Sequence, residues 1–113
     1  MDCIFCQIAA GALPADRVYE DDDTLAFPDL RPRAPQHLLV IPKRHVESLA
    51  STQDDDWAAV AACLRTVQRV ARDRGLEEGG YRVVANIGSD GGQTVNHLHW
   101  HVLGGRLMTW PPG

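Results

Sequence analysis

The residues that most limit what this chain can become are His97, His99 and His101, in the run His97-Leu98-His99-Trp100-His101-Val102-Leu103. Strict alternation is the period of a β-strand, whose successive side chains point to opposite faces. On such a strand the three imidazoles share one face, roughly 6.6–7 Å apart, while Leu98, Trp100 and Val102 take the other. A row of imidazoles makes a poor core, because every ring nitrogen needs a partner and protonated rings repel one another. The row is therefore expected to serve a ligand, a metal or a reaction. Just before it, Gly88-Ser89-Asp90-Gly91-Gly92-Gln93-Thr94 is a glycine-rich turn. Its N–H groups suit phosphate oxygens, although an ordinary hairpin connection has the same composition.

The remaining chain predicts one α+β domain over 1–113 with a mostly antiparallel sheet. Cys3 to Gly11 has the spacing of a short helix, with Ile4, Phe5 and Ile8 in register and Gly11 as its stop. Arg17–Glu20 and Thr24–Phe27 form a strand pair around the acidic turn Asp21-Asp22-Asp23. Gln36–Pro42 is too apolar for a half-exposed strand and is expected at the centre of the sheet. Thr52 is the expected cap of a long helix whose apolar face is Trp57, Val60, Ala61, Leu64, Val67 and Ala71, ending at Gly75. Tyr81–Ile87 is the fourth strand, carrying Asn86 to the glycine turn, and the histidine strand is the fifth.

Bulk properties narrow the function. A net charge of −4 argues against a general nucleic-acid binder. No apolar run approaches the roughly 20 residues a membrane span needs, and no charged stretch followed by an apolar run of the kind expected of a secretory leader stands at the N-terminus. Three cysteines, an odd count, suit a reducing, cytoplasmic setting better than a disulfide scaffold. Taken alone, Cys3 and Cys6 read as small buried hydrophobes, an incidental pair, or half of a metal site. His37 alone reads as a hydrogen-bonded structural histidine, His45 as a surface histidine and Asp29 as a turn residue.

The stretch Gly91 to Arg106, closed by Trp110-Pro111-Pro112-Gly113, resembles the histidine triad (HIT) family, and within it the Hint branch of nucleoside phosphoramidases and nucleotide-binding proteins. The resemblance implies a HIT-like fold, with a five-stranded sheet, one long and one short helix, and a homodimer joining two sheets. It implies His99 as the nucleophile toward the phosphorus of a purine mononucleotide conjugate, assisted by His101, His37 and Thr94. Substrate contacts are then expected from Asp29 to the ribose, from Asn86, Gln93, Thr94, Val95 and His101, and from Trp110 toward the partner's pocket. It further implies a structural zinc on Cys3, Cys6, His45 and His97, with no cofactor for the reaction itself. Thr94 stands where the family usually has serine, and Asn96 where an aromatic residue or proline is common. Three other readings compete with this one: a purine mononucleotide-binding module with incidental turnover, a dinucleoside polyphosphate hydrolase, and a catalytic metal held directly by the three histidines.

Overall fold

In the computed structural model, which describes residues 3–113, five strands make one antiparallel sheet covered by two α-helices. In chain order the elements are α1 (Ile4–Ala9), β1 (Tyr19–Glu20), β2 (Thr24–Pro28), β3 (Gln36–Pro42), α2 (Trp57–Asp73), β4 (Tyr81–Val84) and β5 (Trp100–Gly104). The spatial order β1-β2-β3-β5-β4 puts β3 at the centre, as its unbroken apolar run requires. Its side chains alternate between two covered faces. Leu38 and Val40 pack with Ala26, Val102 and the α2 residues Cys63, Val67, Val70 and Ala71. Leu39 and Ile41 pack with Leu25, Phe27 and the α1 residues Phe5 and Ile8. Val40, Ile41 and Val102 are fully inaccessible, and each such burial contributes about 1.5–3 kcal/mol relative to exposure. His37 alternates onto the α1 face, so α1 and the functional side chains share one side of the sheet.

The histidine run is only partly a strand. The β3–β5 ladder ends at the pair Val40–Trp100, and Pro42, two residues further along β3, has no N–H to extend it. His97, Leu98 and His99 therefore enter β5 as an irregular segment, with the Leu98 N–H donating to the Val46 carbonyl at 2.6 Å. The alternation survives in burial: Leu98 packs with Val46 and Val60, and Val102 packs beneath α2.

Two expectations for α2 are corrected. Thr52 does not cap it; its Oγ1 donates to the Ser48 carbonyl, and two short 3-10 turns over Leu49–Ser51 and Asp54–Asp56 precede the helix. Asp56 Oδ2 accepts the Gln53 N–H at 2.9 Å and closes the second of these turns. The inward face is Val60, Cys63, Thr66, Val67, Val70 and Ala71, whereas Trp57 and Leu64 are 50% and 46% exposed, with Ala61 beside them. Residues 57, 61 and 64 form a second apolar stripe that this chain does not cover. The fourth strand also stops early, at Val84, so Asn86 lies outside it.

Candidate active site

Four of the expected residues converge on the α1 face of the sheet: Asp29 at the end of β2, His37 opening β3, His99, and His101 in β5. His37 and His101 lie diagonally across the ladder, because Leu39 is the register partner of His101. Fixed backbone donors and acceptors determine where their protons sit. Arg33 N–H donates to His37 Nδ1 at 3.0 Å, so the neutral ring carries its proton on Nε2. That Nε2–H donates to His101 Nδ1 at 2.9 Å, which leaves the His101 proton on its own Nε2. His99 Nδ1–H donates to the His97 carbonyl at 2.7 Å, so the lone pair of His99 is on Nε2. The resulting cluster has one unprotonated imidazole nitrogen beside one imidazole N–H donor. Asp29 Oδ2 stands 3.4 Å from His37 Nε2 and 3.9 Å from His101 Nδ1, while Oδ1 accepts the Arg31 N–H. Both nitrogens of His37 are engaged within the protein, the outer one with His101.

Burial keeps this relay neutral. It lowers the His37 pKa, with Arg33 adding to the effect and Asp29 opposing it. For His101, burial followed by the neighbouring His99 and His37 brings the pKa down to about 4, again against Asp29. In the unfolded chain the same group protonates near 6.5, so between those values the unfolded state holds more protons. The stability this group contributes is complete above pH about 6.5 and is lost as the pH falls toward 4, by on the order of 3 kcal/mol. Urea melts at pH 7, 5.5 and 4 are expected to show that decline, and His101→Gln is expected to flatten it.

The glycine turn supplies the floor of the site. Asn86 Nδ2 donates to the Gly91 carbonyl at 2.7 Å, and the Gln93 side chain accepts from Gly88 N–H and donates to the carbonyls of Glu47 and Val95. A Cβ on Gly91 would lie 2.2 Å from the Ile87 carbonyl oxygen, so only glycine fits this bend. Asn86 and Gln93 thus hold the loop in shape, and neither lines the histidine cavity. The N–H groups of Thr94 and Val95 have no partner among the described residues, and both residues line a cavity of about 250 Å³ with Asp29, His99 and His101. Phe5, Ile8, Phe27 and Leu39 provide its apolar wall, and Phe5 meets the His99 ring edge-on at 5.2 Å. Phe5 and Leu39 carry no sequence signal beyond that of core residues.

His97 belongs to a different constellation. Its Nε2–H donates to the Pro42 carbonyl at 2.8 Å, which turns an unprotonated Nδ1 toward Cys3 Sγ (3.3 Å), Cys6 Sγ (3.5 Å) and His45 Nδ1 (3.2 Å). Ligand atoms of Cys3, Cys6, His45 and His97 all lie within 4.8 Å of one another. The three alternating histidines therefore do not converge on one ion, which removes the reading in which they chelate a catalytic metal together. His97 also links the two clusters, since its ring faces the cysteines while its carbonyl orients His99. Trp110 is 81% exposed, beside the Arg82 guanidinium, and is not brought to this chain's own histidines. Arg106, whose part was not evident in the sequence, donates from Nη2 to the Arg33 carbonyl at 2.8 Å and so holds the residue that fixes the His37 tautomer.

The sheet, its helices and the paired histidine clusters define an α+β fold of the hydrolase and nucleotide-binding kind. The chain belongs to the histidine triad (HIT) family: residues 10–108 match the HIT domain. It is 51% identical over 112 residues to an uncharacterized HIT-like protein of Synechococcus elongatus, covering 99% of this chain and 97% of that one. Among solved structures it is similar to a HIT family hydrolase from Legionella pneumophila, with TM-score 0.96, 52% identity, and 99% and 100% of the two chains covered. A zinc-bound histidine triad family protein from Mycobacterium smegmatis is similar at TM-score 0.77 and 39% identity, over 94% of this chain and 76% of that one. Among the described residues no helix is long and apolar enough to cross a membrane.

Proposed function

We propose that this chain, acting as one HIT domain, hydrolyses purine nucleoside 5′-phosphoramidates through a nucleotidyl-histidine intermediate on His99. The observation that carries the reading is the bond from His99 Nδ1–H to the His97 carbonyl, which leaves Nε2 unprotonated on a ring lining the cavity. Nε2 attacks the phosphorus, the P–N bond breaks, and the departing nitrogen takes a proton relayed from solvent through the Thr94 hydroxyl, which the proton released by water in the second step replaces. Water then attacks the P–Nε2 bond, releases the nucleoside monophosphate and returns a proton. Negative charge growing on the phosphoryl oxygens meets the His101 Nε2–H and the N–H groups of Thr94 and Val95, an oxyanion-hole arrangement. Asp29 accepts from the ribose hydroxyls, and the purine lies against the apolar wall of Phe27, Ile8 and Leu39.

Cys3, Cys6, His45 and His97 would hold a structural zinc ion. Metal–sulfur bonds of about 2.3 Å and metal–nitrogen bonds of about 2.0–2.1 Å separate tetrahedral donors by roughly 3.3–3.8 Å. The sulfur–nitrogen and nitrogen–nitrogen spacings here, 3.2–3.5 Å, fit that set. Bound there, zinc clamps α1 to the segment entering β5, and it takes no part in the reaction. Thiolate ligands need a reducing compartment, which supports a cytoplasmic location.

A homodimer is supported by two uncovered features: the β4 edge with Tyr81 and Val83 exposed, and the Trp57 and Leu64 stripe. In such a dimer Trp110 serves the partner's pocket. Sedimentation is expected to give a dimer for the intact chain and a monomer for Leu64→Glu; a monomeric intact chain would overturn this assembly.

The experiment for the activity is release of amine from adenosine 5′-phosphoramidate, with and without brief exposure to a chelator. Turnover unaffected by the chelator is expected, because a closed site of four protein ligands offers the substrate no coordination position. Absence of turnover with AMP still bound would make the chain a nucleotide-binding module.

A further inference from the structure

The larger cavity of this face has no role in the chemistry above. It measures about 540 Å³ and shares Ile4, Thr94 and Val95 with the cavity that His99 and His101 line. Displacement at phosphorus sends the leaving group away from the nucleophile, with attacking and leaving atoms roughly in line. A leaving-group subsite therefore has to adjoin the phosphate-binding loop on a side not taken by the nucleoside, and this cavity meets that condition.

Resting on the phosphoramidase reading, we propose that this cavity is the leaving-group subsite, and that Glu47 makes it select amines carrying a second, cationic group over neutral or anionic leaving groups. Glu47 is held against the loop by its backbone, since Gln93 Nε2 donates to its carbonyl at 2.8 Å and to the Val95 carbonyl at 3.0 Å. Its carboxylate has no hydrogen bond or ion pair among the described residues, and no lysine or arginine lines the cavity. Cys3 and His45 also line it, but their ligand atoms are turned to the metal cluster. Among the described residues Glu47 is thus the one acidic side chain lining the cavity. The half-exposed Ile4 and neighbouring Val95 give an aliphatic linker an apolar surface between the phosphorus and that carboxylate. Asn96, whose side chain has no partner among the described residues, adds a hydrogen-bond acceptor for an ammonium group. The same charge disfavours the polyphosphate leaving group of a dinucleoside polyphosphate.

Three adenosine 5′-phosphoramidates test the assignment, identical except that the alkylamine ends in an ammonium, a methyl or a carboxylate group. The intact enzyme is expected to favour the ammonium compound over the methyl compound by about fivefold in kcat/KM, and the methyl over the carboxylate compound by a similar factor. Glu47→Gln is expected to bring these ratios close to one, and Glu47→Lys to reverse them. Ratios taken within each variant cancel any general loss of activity. The affinities of His99→Ala for the same compounds read the subsite without turnover, so failure of the phosphoramidase reading and failure of the subsite remain distinguishable. Equal affinities for the three compounds, or a preference that Glu47→Gln leaves unchanged, would overturn the proposal.

Discussion

His99→Ala is expected to lower kcat for adenosine 5′-phosphoramidate by at least about 10³-fold, because in the proposed reaction it removes the atom that bonds to phosphorus. Nucleotide affinity should survive within a few-fold. The groups expected to hold ground-state nucleotide are Asp29, the Thr94–Val95 N–H pair and the apolar side chains of Ile8, Phe27 and Leu39, none of which has a ring contact or hydrogen bond to His99. The loss therefore belongs in kcat and not in KM. Rapid-quench mass spectrometry gives a second readout: the intact enzyme mixed with substrate should gain the mass of a nucleotidyl group, and His99→Ala should not. An alanine variant that kept a tenth of the activity would exclude a nucleophilic His99.

The sheet was legible because its strands bury different amounts of surface. Gln36–Pro42 is apolar at both periods and can only be covered on both faces, and β3 has those bounds. The alternation at 97–103 pointed to a strand, and the strand holds from Trp100 onward. Division of the three imidazoles between two clusters was not legible from the alternation, because it depends on where Pro42 ends the β3–β5 ladder and presents its carbonyl to the His97 ring. Periodicity reports which face a side chain leaves the backbone on, and not which nitrogen finds a partner.

The α2 face shows a different limit. Trp57, Ala61 and Leu64 sit at helical spacing with Val60, Val67 and Ala71, and hydrophobicity alone merges two stripes into one. Cys63 and Thr66, which complete the true inward face, carried no pattern signal; Thr66 is buried because its Oγ1 pairs with Thr24 Oγ1 at 2.7 Å. Side chains whose function is to fix another residue were also hidden. Asn86 and Gln93 stand in a motif rich in phosphate-binding character, yet their amides close the loop on itself. Arg106 acts through the backbone of Arg33, a relation with no sequence spacing to betray it.

Cys6→Ala is expected to lower the melting temperature by on the order of 10 °C, because ligand energy in a closed thiolate–imidazole site is folding energy. The effect has a definite place in the molecule. Cys3 and Cys6 stand at the start of α1, and α1 contributes Phe5 and Ile8 to the core on the functional face. Loss of the clamp frees a six-residue helix too short to persist without tertiary support. Prolonged chelation of the intact protein should bring its melting temperature to that of Cys6→Ala, and the variant should no longer respond to the chelator; native mass spectrometry should show one zinc per chain lost in both cases. The proposed zinc site also bears on the proposed reaction, since the carbonyl that accepts from His99 Nδ1–H belongs to His97. Below both melting temperatures kcat should fall with loss of the clamp, and AMP affinity should weaken with it, because α1 carries Ile8 of the proposed purine wall. If Cys6→Ala melts at the same temperature as the intact protein and still responds to chelator, the four side chains do not hold the metal, and the orientation of His99 rests on the sheet alone.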